Sequence, residues 1–134
     1  MNILFFLKPK ATIEYIDSSF SIRQALEKLD NHGYSAIPLI DVEGHYINTI
    51  SDGDILMYIK NQANLDLKKS EDISILDVKI RRDVKSIKIN ENMEDLIELS
   101  LNQNFVPVVD DLNHFIGIIT RKDIIKYFYN KNGL

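Results

Sequence analysis

Gly117-Ile118-Ile119-Thr120-Arg121-Lys122-Asp123 and, 69 positions earlier, Asn48-Thr49-Ile50-Ser51-Asp52-Gly53-Asp54 are two copies of one local design. In each, an apolar run that reads as a strand delivers a hydroxyl residue, two further residues, an acid, and then a stretch with helical apolar spacing. Outward from this stretch, the same offset relates Pro38 to Pro107, Asp41 to Asp110, Tyr46 to Phe115, and Ile55, Leu56 and Ile59 to Ile124, Ile125 and Phe128. Upstream, Ile22 aligns with Met93 at an offset of 71, so the second copy is two residues shorter between its first helix and its Pro107 strand. The register points to an internal duplication.

Each copy reads as strand, helix, strand, strand, helix. In the first, Thr12 to Ile16 alternates as a short strand. Ser21 with Gln24 makes a capping-box pattern ahead of Ile22, Ala25, Leu26 and Leu29, and Gly33 is the expected helix stop. Ser35 to Ile40 and His45 to Ile50 are strands joined by a turn at Asp41 to Gly44, and Ser51 opens a helix with Ile55, Leu56 and Ile59 inward. In the second, Val84 to Ile89 is the first strand and Asn92 caps a helix carrying Met93, Leu96, Ile97 and Leu101. Phe105 to Val109 and His114 to Ile119 are the paired strands, and Thr120 opens the last helix. Proline inside the Ser35 and Phe105 strands predicts an edge, a strand start or a bulge, because it donates nothing to a ladder. Before the first copy, Ile3 to Leu7 reads as an apolar arm, and Lys8-Pro9-Lys10 is expected to interrupt any regular element. The division by sequence is therefore 1–60 for the first motif with its arm, 61–72 for a polar connection and 73–134 for the second. One copy of about 60 residues is marginal alone. The duplication predicts an α+β domain of two pseudo-twofold-related β-α-β-β-α motifs packed through their sheets, with clefts at the junction.

Composition narrows the function. The 134-residue chain carries 16 Lys plus Arg against 20 Asp plus Glu, a net charge of −4, so a general nucleic-acid surface is not expected. No cysteine is present, which excludes disulfides, thiolate metal sites and thiol nucleophiles and fits a cytoplasmic protein. The apolar start is too short for a signal or a membrane span. His32, His45 and His114 have no second ligand at metal spacing, the carboxylate pairs Asp52/Asp54 and Asp110/Asp111 lack a base or nucleophile partner, and no phosphate-loop or dinucleotide glycine fingerprint occurs. Neither an enzyme nor a required cofactor is expected.

The hydroxyl-x-x-acid pair at a helix start has two readings. A hydroxyl at N-cap with an acid three residues on is a capping box, which stabilises by roughly 0.5–2 kcal/mol. The same place also attracts phosphate through amides and the helix dipole, while the acid suits ribose hydroxyls. Gly117 permits close approach of backbone or ligand. Arg81, Arg82, Lys85, Arg121 and Lys122 are the cations available to neutralise phosphate.

Ile37-Pro38-Leu39-Ile40-Asp41 and Val106-Pro107-Val108-Val109-Asp110, each followed by a turn, an apolar strand and a Ser/Thr-x-x-Asp helix start, resemble cystathionine β-synthase (CBS) motifs. The pair spans nearly the whole chain and resembles a Bateman module. Gly33 to Pro38 and Gln103 to Pro107 are similar to stand-alone CBS-pair proteins of low-GC Gram-positive bacteria, some of which bind cyclic di-AMP. The resemblance implies a homodimeric, regulatory, non-enzymatic module. Such a module binds an adenosine-containing ligand (AMP, ADP, ATP, cyclic di-AMP or S-adenosylmethionine) and signals to a partner protein. The alternative is a structural dimerisation or protein-interaction module with vestigial clefts. It implies one ligand set of Thr12, Ile13, Ser35, Ala36, Ile37, Thr120, Arg121 and Asp123. It also implies a second, of Ser51, Asp54, Val84, Lys85, Ser86, Phe105 and Val106. Asn48, where the family usually has glycine, and the two-residue shortening before Phe105 both fall on the second set. It is therefore the less complete of the two.

Overall fold

A computed structural model describes all residues but 33–34, 63–65, 67 and 133–134, so the expected stop at Gly33 and part of the 61–72 connection lie outside the described residues. In chain order the elements are β1 (Lys8–Pro9), β2 (Ile16–Asp17), α1 (Ile22–His32), β3 (Ala36–Ile40), β4 (Tyr46–Ser51) and α2 (Asp52–Lys60). There follow β5 (Ile87–Lys88), α3 (Met93–Ser100), β6 (Phe105–Val109), β7 (Phe115–Thr120) and α4 (Arg121–Asn132). Short 3-10 turns occupy Ile3–Phe6, Lys10–Thr12, Lys69–Asp72 and Ile75–Asp77. The β-α-β-β-α order occurs twice, as the duplication predicts.

Two compact units form, one of residues 14–83 and one of residues 1–13 with 84–134. The first holds a three-stranded sheet in the order β2-β3-β4, with β2 parallel and β4 antiparallel to β3. The second holds β5-β6-β7 in the equivalent arrangement and adds β1 antiparallel to β7.

These units group the chain differently from the division at 60 and 73. Ile75 and Val78 are buried in the core of the first unit with Ile16, Ile22, Ile37, Ile50 and Ile55. A bridge ties the connection to the first helix: Ile22 N–H donates to Ile73 O (2.8 Å) and Ile75 N–H to Phe20 O (2.9 Å). Ile3 and Phe6 are buried with Ile87, Leu96, Val106, Val108, Ile119 and Ile124 of the second unit. Each fully buried isoleucine contributes roughly 1.5–3 kcal/mol, so a leading segment stays where its apolar pair finds a core.

Several local expectations are corrected. Lys8-Pro9 does not interrupt regular structure; it is β1, paired Lys8 to Ile118 and Pro9 to Gly117. Thr12 belongs to a 3-10 turn, and the strand expected from Thr12 starts at Ile16; that expected from Val84 narrows to Ile87–Lys88. The proline strands are interior to their sheets, not edges. Asp52 N–H bonds Ser35 O and Arg121 N–H bonds Asn104 O, both at 2.9 Å. Antiparallel alternation then makes Ile37–Ile50 and Val106–Ile119 the hydrogen-bonded pairs, and Pro38 opposite Thr49 and Pro107 opposite Ile118 the non-bonded ones. The missing N–H faces the side where β2 and β5 pair only from Leu39 and Val108 onward. A register shift follows one residue later in both copies, at Leu39/Ile40 and Val108/Val109.

Helix starts follow the expected chemistry. Ser21 and Gln24 bond reciprocally, with Ser21 N–H to Gln24 Oε1 at 2.8 Å and Gln24 N–H to Ser21 Oγ at 3.2 Å. Asn92 accepts from Asp95 N–H at 3.0 Å. On α2 and α4, Ile55 and Ile124 are buried, but Leu56 and Ile125 are 64% and 60% exposed. Ile97 and Leu101 of the Asn92 helix region are also exposed. The apolar stripe is narrower than expected because the adjacent residue turns about 100° away from the core.

Candidate functional site

The two helix starts share most of their wiring. In both, the strand-leading carbonyl takes the first helical amide, Ser35 O from Asp52 and Asn104 O from Arg121. The hydroxyl takes the third: Asp54 N–H donates to Ser51 Oγ at 3.0 Å and Asp123 N–H to Thr120 Oγ1 at 3.2 Å. Two of the first three amides are thus satisfied internally, the one at the acid by the hydroxyl, as the capping reading has it.

The acids differ. Asp54 is buried and closes a complete capping box, its Oδ2 accepting Ser51 N–H at 3.0 Å. Its Oδ1 accepts Arg81 N–H at 3.2 Å and faces Arg81 Nε at 3.5 Å. The Asp54 side chain is 6% exposed. The Asp123 side chain is 35% exposed, and among the described residues its carboxylate meets one group, Lys8 Nζ at 3.4 Å.

The remaining members of the first set divide between the units. Thr12, in the 3-10 turn beside β7, and Ile13 after it lie in the unit of Thr120 and Asp123, with Thr12 Oγ1 donating to Pro9 O at 2.8 Å. Ser35, Ala36 and Ile37 lie in the other unit, where the Ile37 side chain is fully buried and has only backbone to offer. Arg121 is committed elsewhere. Its Nη1 donates to Ser100 O at 3.2 Å, and its Nη2 bonds Asn104 Oδ1, so the guanidinium caps the C-terminal end of α3.

In the second set, Ser51 and Asp54 belong to the first unit, and Val84, Lys85, Ser86, Phe105 and Val106 to the second. The Val106 side chain is core. Gln103 reads the Lys85 backbone on both sides: Lys85 N–H donates to Gln103 Oε1 at 2.8 Å, and Gln103 Nε2 donates to Lys85 O at 3.0 Å and to Phe105 O at 3.3 Å. Sequence reasoning missed Lys8 and Gln103. Neither sits in the repeated stretch, and no spacing rule singles out either.

Asn48 donates to Asp83 Oδ1 at 2.9 Å. Its counterpart Gly117 meets β1: a Cβ there would lie 2.2 Å from Lys8 O. The close approach read from the sequence is therefore made by the chain's own backbone.

His45 and His114 have turn roles. Asp41 Oδ1 accepts the N–H groups of Glu43 and His45 while Oδ2 meets His45 Nδ1; Asp110 does the same with Leu112 and His114. The backbone bond from His45 or His114, partly offset by desolvation, holds each aspartate below the usual carboxylate range. Burial pushes the Tyr46 phenol far above its usual value, against its bond to Thr49 Oγ1 at 2.9 Å. Among the described residues, no group of three or more His, Cys, Asp or Glu is placed to hold a metal, and no helix is long and apolar enough to cross a membrane.

A duplicated β-α-β-β-α unit with a Ser/Thr-x-x-Asp helix start in each copy defines a tandem CBS pair. The chain belongs to the CBS-domain family, whose model, "CBS domain", matches residues 9–61 and again 73–130. It is 25% identical over 114 residues to cyclic di-AMP receptor B of Bacillus subtilis, covering 85% of this chain and 77% of the relative. It is 28% identical over 111 residues to the gamma subunit of the 5'-AMP-activated protein kinase of Saccharomyces cerevisiae, covering 76% of this chain but 33% of that subunit. The CbpB protein of Listeria monocytogenes, solved in complex with cyclic di-AMP, superposes with a TM-score of 0.82 at 28% identity, covering 95% of this chain and 94% of that one.

Proposed function

We propose that this CBS pair is a cytoplasmic, non-enzymatic regulatory module that binds an adenine nucleotide, AMP, ADP, ATP, cyclic di-AMP or S-adenosylmethionine, and signals occupancy to a partner protein. The observation that carries this reading is the second-copy helix start. Thr120 and the part-exposed Asp123 carboxylate stand together there, with a single flexible lysine on the acid. A carboxylate so placed accepts hydrogen bonds from vicinal ribose hydroxyls, as acids do in dinucleotide sites. Lys8, displaced from Asp123, supplies a cation for phosphate. Thr12 and Ile13, in the same unit, extend the proposed set, and Arg121 contributes by holding the α3–α4 corner. The relatives named for, or solved with, cyclic di-AMP support the ligand class.

A thermal-shift screen of these five ligands tests the reading. A binder at a hundredfold excess over Kd stabilises the fold by about 2.7 kcal/mol, and Asp123→Ala abolishes most of that shift. No shift with any of the five sinks the proposal.

A second reading has its own observation. Ile97, Leu101, Ile125, Phe128 and Tyr129 line a largely apolar groove of about 400 Å³ on α3 and α4. Three of them, Leu101, Ile125 and Tyr129, are 69%, 60% and 57% exposed. Such a face suits a homodimer or a protein-interaction module whose ligand clefts are vestigial. Intact dimers without any nucleotide response favour it.

A further inference from the structure

Asp54 and Asp123 occupy equivalent positions of the duplication, yet their surroundings differ in kind, and the difference concerns how many ligands the chain takes. This inference rests on the nucleotide-binding reading above. Both Asp54 oxygens are spent on backbone amides, Ser51 N–H at 3.0 Å and Arg81 N–H at 3.2 Å. A ribose hydroxyl reaching this carboxylate has to displace one of them and leave a part-buried amide unpaired, a loss of roughly 1–3 kcal/mol. The Arg81 side chain, 55% exposed, lies along the same turn, with Nη2 3.1 Å from where a Cβ on Gly53 would stand; the closing contact is the Arg81 N–H.

The Lys85 backbone of the second set is occupied as well. Lys85 N–H and C=O are met together by the Gln103 carboxamide at 2.8 and 3.0 Å. One acceptor beside one donor is also what adenine presents through N7 and its N6 amino group. The carboxamide thus holds the backbone pair that an adenine would read.

We infer that the chain closes its own second ligand set, the Arg81 main chain on Asp54 and the Gln103 carboxamide on Lys85, each within its own unit, and therefore binds one adenine nucleotide per chain, at Asp123. Asp54 is then a structural residue that ties the start of α2 to residue 81.

Calorimetric titration with AMP and with cyclic di-AMP tests this on the intact chain. The wild type gives one binding event per chain. Asp123→Ala weakens it at least about tenfold, the loss of a charge-assisted hydrogen bond. Asp54→Asn, followed by melting to establish that it folds, lowers the melting temperature while Kd stays within about twofold, a change under 0.5 kcal/mol. The Arg81→Pro, Gln103→Ala double variant, which lacks both the Arg81 N–H and the Gln103 carboxamide, gains a second and weaker event. Two events in the wild type overturn the inference, as does a double variant that still binds once or an Asp54→Asn loss equal to that of Asp123→Ala. If the wild type binds neither probe, AMP and cyclic di-AMP are excluded as its ligands and the nucleotide reading rests on the remaining three. Binding by the double variant alone then still supports self-closure, and binding by neither protein overturns it.

Discussion

Gly117→Ala is the sharpest test of the arm's placement. The added Cβ would sit 2.2 Å from Lys8 O, 2.8 Å from Leu7 Cδ1 and 3.1 Å from Lys8 C. Carbon and carbonyl oxygen ordinarily meet at about 3.3 Å or more, so β1 has to retreat by about 1 Å. Because the obstacle is main chain paired Lys8 to Ile118 and Pro9 to Gly117, no rotamer change relieves it. Overpacking of this kind costs about 1–3 kcal/mol, and a ladder bond given up with it about 0.5–1.5 kcal/mol, for a total near 2–4 kcal/mol. At about 3–5 °C per kcal/mol for a chain of this size, the melting temperature falls by about 6–20 °C. Asn48→Ala is the control. It loses bonds to Asp83 and to Thr49 N–H but, paired with Leu39 of β3, has no strand on its other side among the described residues, and it costs less. Circular-dichroism melts read the stability, and amide exchange reads the location: Gly117→Ala speeds exchange in residues 3–10 while residues 36–51 stay protected. A Gly117→Ala melt within about 2 °C of wild type, with residues 3–10 still protected, refutes the pairing of β1 with β7.

Two further outcomes follow from the turns and the α3–α4 corner. Asp41 and Asp110 are held below their ordinary carboxylate range in the folded state, chiefly by the backbone bonds from His45 and His114. Their stabilisation is therefore complete above the unfolded pKa near 3.9 and is lost as pH falls through the lower folded values. Melts from pH 7 to pH 3 show this fall, and Asp41→Asn with Asp110→Asn flattens it; an unchanged acid limb in that double variant contradicts the assignment. Arg121→Ala removes the guanidinium from Ser100 O and Asn104, costing about 1–2 kcal/mol, and in titrations it lowers nucleotide affinity less than Asp123→Ala does. An affinity loss equal to that of Asp123→Ala makes Arg121 a direct ligand contact instead.

The duplication was legible because it is written in main-chain-determining residues. Pro38 and Pro107, the Asp41 and Asp110 turns, and the two capped helix starts each fix local geometry without help from elsewhere. The turn even repeats its left-handed position, Gly44 in one copy and Asn113 in the other, the two residue types that tolerate it. Features that depend on distant chain were not legible. Adjacent apolar residues such as Ile55 and Leu56 both fit a helical period, and only the neighbouring sheet decides which one is buried. Likewise the apolar Ile3 and Phe6, or Ile75 and Val78, announce that they need a core without saying which copy supplies it.

The exchange of those leading segments accounts for the unequal acids. Each segment brings two apolar residues three apart into a core, Ile3 and Phe6 in one unit, Ile75 and Val78 in the other, and then a cation to the helix-start acid. Lys8 arrives on β1, whose backbone is spent on β7, so only a mobile ammonium reaches Asp123, its side chain 48% exposed. Arg81 arrives with its own N–H turned to the acid, and that amide bond, rather than the guanidinium, is what seals Asp54. The hydroxyl-x-x-acid pattern is identical in the two copies, and its chemistry is set by whether the incoming segment offers the acid a side chain or its main chain. Whether a helix-start acid in this duplicated chain is sealed or part-exposed is therefore encoded in the segments between the motifs as much as in the motifs.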